Sequence, residues 1–118
     1  MNEQLLILLI IIAIFILFKS YSSRSAISAL SKLNIDTLQL LDVRSESEFA
    51  GFSAPGSLNI PVQSLVSGNT KGLERSKTIV VYCASGMRSA TAAAWLKKQG
   101  YTVINAGTIG NIIKGIKF

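Results

Sequence analysis

One cysteine, Cys83, stands inside the run TIVVYCASGMRSATAAAWLK, from Thr78 to Lys97. A thiol reacts as its thiolate, so what matters is whatever lowers its pKa. Three neighbouring features would do so. The stretch Ala84-Ser85-Gly86-Met87-Arg88 reads as a short loop, whose backbone N–H groups can converge on one point as an anion nest. The alanine-rich segment Ser89 to Lys98 reads as a helix stopped by Gly100, and a helix N-terminus adds partial positive charge. Arg88 can add a full one. The plain alternative is that Cys83 is a small buried hydrophobe at a strand end, since free cysteine is usually buried. The context Cys-x-x-Gly-x-Arg-Ser favours a reactive thiol.

The other polar residues of the loop carry two readings each. Arg88 contacts a substrate anion or caps the loop, and its place on the thiol's own loop favours the first. Ser89 is the helix N-cap or donates a hydrogen bond to the sulfur, and Ser85 has the same two readings. Gly86 supplies a backbone conformation that other residues resist. Asp42 and Arg44 read as structural, pairing or bonding to loop backbone near the site. Trp95 reads as core. Lys97 and Lys98 suit the negative end of the helix dipole and need no functional account.

The elements that must position these residues can be placed in order. Ala26 to Leu33 has helical apolar spacing after a polar linker, Tyr21 to Ser25. Leu38 to Val43 reads as a strand. Ser45 and Glu48 form a capping box that opens a helix through Ala50. Gly51 to Gly56 reads as a loop, Leu58 to Ile60 as a short strand ended by Pro61, and Ser64 to Val66 as a helical turn. After a loop at Ser67 to Gly72 comes the β-branched run Thr78 to Tyr82, a buried strand. Its helix follows, then a strand at Tyr101 to Ile104 and a weak helix at Asn111 to Lys114. Strands that alternate with helices predict an α/β class with a mainly parallel central sheet. Ligands of such sheets sit outside the C-terminal strand ends, where Cys83 falls.

Leu5 to Phe18 is unbroken apolar sequence, LLILLIIIAIFILF. As a helix it spans about 21 Å at 1.5 Å per residue, against about 30 Å of bilayer hydrocarbon. Flanking Met1 to Gln4 and Lys19 to Tyr21 extend it, with Lys19 able to snorkel and Tyr21 suited to the interface. The reading is a single transmembrane anchor over residues 1–21, followed by one domain over residues 22–118. A cleaved signal peptide is the alternative and would make the domain exported or periplasmic. Its positive n-region and small-residue cleavage site are not evident. A buried core helix is the third reading. Lys19, Arg24 and Lys32 follow the run and no Lys or Arg precedes it, which places the domain on the cytoplasmic side.

The 118 residues are one domain's worth of chain. They are 49% hydrophobic and 15% charged, with a formal net charge of +6. That balance suits anionic small molecules, acidic headgroups or nucleic acid. No basic stripe interleaved with aromatics is present, which argues against nucleic acid. A single cysteine excludes an internal disulfide and a Cys-x-x-Cys redox pair, and the lack of histidine leaves no zinc ligand set.

Three segments carry a family resemblance. Cys83-Ala84-Ser85-Gly86-Met87-Arg88-Ser89 resembles the active loop of small rhodanese homology domains, the sulfurtransferase family. Leu40-Leu41-Asp42-Val43-Arg44, with Glu46, Glu48 and Phe49, is similar to the family's Asp-Val-Arg strand and following helix. Pro55-Gly56-Ser57-Leu58-Asn59-Ile60-Pro61 is similar to its Pro-Gly-Ala-x-Asn-Ile-Pro segment. The chain departs from the pattern at Phe52-Ser53-Ala54, where Gly-His-Ile is usual. It departs again at Thr108 and Ile113, near a usual Gly pair and Trp. The resemblance implies a rhodanese-like domain in which Cys83 attacks a sulfane sulfur donor such as thiosulfate and becomes a persulfide. Residues Ala84 to Ser89 would bind the substrate, and cyanide, a thiol or a protein acceptor would take the sulfur. No cofactor is implied. Two rivals remain. One is a phosphatase of the Cys-x-x-x-x-x-Arg type, whose loop is one residue longer than that from Cys83 to Arg88. The other is a non-enzymatic membrane module that carries sulfur to a partner or docks one.

Overall fold

The computed structural model describes residues 2–118. Its elements are α1 (Glu3–Ser31), a 3-10 turn (Ile35–Thr37), β1 (Leu38–Asp42), α2 (Glu46–Gly51), β2 (Leu58–Asn59), α3 (Val62–Val66), β3 (Thr78–Cys83), α4 (Met87–Lys98), β4 (Val103–Thr108) and α5 (Ile109–Gly115). The strands form one sheet in the order β2-β1-β3-β4, parallel throughout, as the alternation of elements predicts. From β1 the chain moves outward to β2, then returns to place β3 on the other side of β1. The C-terminal ends of β1 and β3 therefore flank the point where the strand order reverses, the usual ligand position in open parallel sheets.

The period-2 alternation of β3 decides which way the cysteine faces. Ile79, Val81 and Cys83 point to one side, into a core with Leu41, Val43, Leu65, Ala92, Ala93 and Leu96. That side is covered by α3 and α4. Val80 and Tyr82 point to the other, into a second core with Leu30, Leu40, Ala106, Ile112 and Ile116, covered by α5 and the end of α1. Cys83 is thus the last inward residue on the α4 face, and its sulfur meets the N-terminus of the helix that follows.

Four local expectations change. The linker expected at Tyr21–Ser25 is helical, and α1 runs unbroken through it and across residue 21. No Gly or Pro interrupts the stretch, and extending a helix is cheaper than nucleating a second one. Leu30 is buried at 1% exposure, and a Cβ on Gly115 would lie 2.8 Å from that of Leu30, so α1 packs closely on α5. Ser89 is not the N-cap of α4: the helix starts at Met87, and Gly86 is its N-cap in a left-handed conformation. The strand expected to end at Ile104 continues to Thr108 through a bulge, where Val81 pairs with Asn105 but Tyr82 pairs with Gly107. The helical turn near Ser64 starts at Val62.

The apolar face of α1 is different in kind. Leu5 to Phe18 is exposed on every side, and this helix is long and apolar enough to cross a membrane. Nothing in the domain covers it, contrary to the buried-core reading of the run.

Candidate active site

Cys83 is fully buried, at 0% exposure. Its Sγ accepts hydrogen bonds from the Gly86 amide at 3.0 Å and the Ser89 amide at 3.4 Å. Gly86 makes this possible. At φ +101 its backbone turns the chain sharply enough for the first turn of α4 to close over the sulfur. Burial pushes the thiol pKa up. The amides of Ser89 and Gly86 at the sulfur outweigh it, and the thiol sits below its ordinary value. Of the loop and first turn of α4, the amides of Gly86 and Ser89 converge on the sulfur.

Ser89 fixes the back of this loop. Its hydroxyl is 3.0 Å from the Gly86 carbonyl and 3.2 Å from that of Gly107, so it donates to one or shares between both. The bulge in β4 brings the Gly107 carbonyl there. Bulges near sites commonly re-aim a group in this way.

Arg88 pairs with Glu48. Nη1 lies 2.6 Å from Oε1 and Nη2 lies 3.1 Å from Oε2, a bidentate contact between two half-exposed side chains. The capping box expected of Ser45 and Glu48 is present, so one carboxylate both caps α2 and holds the arginine of the loop after Cys83. Arg88 holds the Glu48 carboxyl down to about 2. At neutral pH that group carries no proton to give. Its capping role is legible in the sequence, but its pairing with a residue 40 positions away is not.

Asp42 and Arg44 form a buried pair at the end of β1. Arg44 donates to Asp42 from its own backbone N–H at 2.9 Å, and from Nη2 at 2.7 Å. Its Nη2 also reaches the Phe52 carbonyl, and Asn59 donates to the carbonyls of Asp42 and Arg44. On the same face of the sheet, beneath the Arg44 guanidinium, the Tyr82 hydroxyl receives the Ala54 amide at 3.2 Å and lies 2.9 Å from Ser57 Oγ. These contacts tie the Phe52–Ser57 turn to the sheet next to β3. In the sequence, Asn59 and Tyr82 read only as residues of strands, and their side-chain contacts are not legible there. Trp95 is half-buried and packs against the α4-side core.

The family model for the Rhodanese-like domain matches residues 25–110. A sulfurtransferase of Allochromatium vinosum is 34% identical over 77 residues, covering 65% of this chain and 66% of its own. A putative sulfur carrier protein of Bacillus subtilis, YrkF, is 38% identical over 71 residues, covering 59% of this chain and 38% of its own. This chain therefore spans less than two thirds of the length of either relative. Among solved structures, a rhodanese-related protein of Thermoplasma volcanium superposes with a TM-score of 0.60 and 34% identity, over 71% of this chain and 85% of that one.

Proposed function

Because the chain belongs to the rhodanese-like domain family, we propose that it is a membrane-anchored sulfurtransferase that works through a persulfide on Cys83. The observation that carries this reading is the pair of amides at 3.0 and 3.4 Å from a buried Sγ. Such a cradle stabilises an anion on sulfur without a general base, which suits a chain with no histidine. The Cys83 thiolate attacks the outer sulfur of a donor such as thiosulfate. The donor S–S bond breaks, and sulfite leaves with the bonding pair. A new S–S bond joins Cys83 to the transferred sulfur. Cyanide or a thiolate then attacks that outer sulfur, and the Cys83 thiolate is released. Two half-reactions of this kind give ping-pong kinetics.

Residues Ala84 to Ser89 bind the substrate in this reading. Arg88 spends two N–H groups on Glu48 and keeps others for the donor anion, and its charge is felt at Cys83. Asp42 and Arg44 hold the neighbouring strand end. Phosphoryl transfer is disfavoured on chemical grounds. Three outer oxygens would each need a donor from a short loop, and Glu48, the acid paired with the loop's Arg88, is ionised. The test is thiosulfate:cyanide transfer that disappears in Cys83→Ser, with no aryl phosphate hydrolysis above that variant's background. Cys83-dependent phosphate release would overturn the reading.

The resemblance to a putative sulfur carrier favours a second reading, in which the persulfide serves a protein acceptor. Persulfide formation without turnover to any small acceptor would select it. The N-terminal helix supports the anchor: it is apolar on all sides from Leu5 to Phe18 and continues into the domain without a break. The basic residues after it favour a cytoplasmic domain. Resistance of the full chain to carbonate extraction tests the anchor, and a shortened soluble protein beginning near Ser22–Ala26 would favour a cleaved signal instead.

A further inference from the structure

We propose that the junction between α1 and the catalytic loop is a binding site for a tetrahedral oxyanion. A cavity of about 220 Å³ lies there. One wall is the first turn of α1 after the apolar run, with Lys19, Ser22 and Ser23. The other includes Ser85 of the loop, and Asn105 and Thr108 from the end of β4. This volume is several times the roughly 30 Å³ share of one water.

The chemistry of the walls selects an anion. Lys19 has no carboxylate partner among the described residues, where the ion pairs are Arg44 with Asp42, Lys77 with Glu74 and Arg88 with Glu48. Among the described residues, no acidic one lines the cavity. Asn105 uses its carbonyl oxygen to accept the Gly107 amide, which leaves its NH2 as a donor. Thr108 uses its hydroxyl oxygen to accept the Asn111 amide, which leaves its O–H free to donate. Ser22, Ser23 and Ser85 add hydroxyls. A full positive charge ringed by donors, with no competing carboxylate, is matched by a sulfate- or phosphate-type group. Cys83 is not part of the wall, and the cavity meets the sulfur's cradle from outside, through Ser85, Gly86 and Met87.

The site belongs to this chain rather than to the shared domain. Lys19, Ser22 and Ser23 precede residue 25, where the family match begins. Lys19 also follows Phe18, the last residue of the apolar run, so a lipid phosphate and a free oxyanion can both reach the cavity. Either would bridge α1 to Ser85 and Gly86 and hold the catalytic loop against the helix. This inference stands whether or not Cys83 transfers sulfur.

The test follows amide shifts of the full-length protein in phosphate-free, non-ionic micelles, titrated with inorganic sulfate. Saturable shifts are expected at Ser85, Gly86 and Thr108. They should weaken about tenfold or more in Lys19→Gln, the usual scale for a lost charged hydrogen bond, and return in Lys19→Arg. Ser23→Asp, which adds a carboxylate to the wall, should abolish them. In phospholipid nanodiscs, amides already at the sulfate-bound positions and insensitive to added sulfate identify the lipid phosphate as the source. Amides that still move with sulfate identify a free oxyanion. Absence of saturable shifts, or equal shifts in Lys19→Gln with the rest of its spectrum unchanged, overturns the proposal.

Discussion

Gly86→Ala isolates what the loop backbone does for the thiol. A Cβ at this position meets only Gly107 Cα, at 3.8 Å, which is ordinary contact. The substitution therefore acts through backbone conformation and not through a clash. Gly86 sits at φ +101. A left-handed conformation costs an L-residue about 1–2 kcal/mol, and the smaller unfolded-state entropy of alanine returns about 0.4–1 kcal/mol. The folded state is expected to lose about 0–1.6 kcal/mol. The backbone relieves the strain by turning the 85–86 peptide, which moves the Gly86 amide off Sγ. Loss of one hydrogen bond to a charged group is worth about 1.5–3 kcal/mol, or roughly one to two pKa units. The thiol pKa should rise by that amount. With a single cysteine in the chain, thiolate absorbance during a pH titration reads it directly. Gly86→Asn, which tolerates the left-handed region better, should show a smaller rise. A stability loss with an unchanged thiol titration would refute the argument, because the Gly86 amide would then not be what lowers the pKa.

Three further predictions concern the charged pairs. Glu48 has a folded pKa depressed to about 2, so its pairing stabilises the protein above the unfolded carboxylate value of about 4.3, and that stability is lost as pH falls toward 2; acid unfolding of Arg88→Gln should lack this dependence. Arg88→Ala should raise the thiosulfate KM or lower kcat/KM by about 1–3 kcal/mol in barrier terms, while costing at most about 1 kcal/mol in denaturant unfolding because the pair is half-exposed. Unchanged kinetics would leave it a structural residue. Asp42→Ala strands a buried guanidinium and should cost about 3–5 kcal/mol in the same unfolding assay, and a loss below 1 kcal/mol would show that the pair is dispensable.

Much of this site is visible in the sequence because the parts that build it are local. The β-branched run, the cysteine at its end and the alanine-rich helix fix β3, the thiol and α4 by period and composition alone. The Ser45–Glu48 capping box is likewise written in four consecutive positions. What escapes is non-local or glycine-made. Gly86 caps α4 with backbone instead of a side chain, so no Ser or Asp announces the early start at Met87, and Ser89 looks like the cap. Asn105-Ala106-Gly107 has turn composition, yet Ala106 is buried and the neighbouring strand supplies a register that carries β4 through a bulge. Ser-rich Tyr21–Ser25 has linker composition, but helix on both sides carries it into α1. Glu48 meets Arg88 only because α2 and the loop stand above adjacent strand ends.

The central claim is that Cys83 takes up a sulfur atom inside its amide cradle, and intact mass of the protein after incubation with thiosulfate tests it most directly. The account predicts a gain of one sulfur on the wild-type chain, removed by cyanide and absent from Cys83→Ser. An unchanged mass with the thiol still titrating as a thiolate, or the same gain in Cys83→Ser, would contradict it.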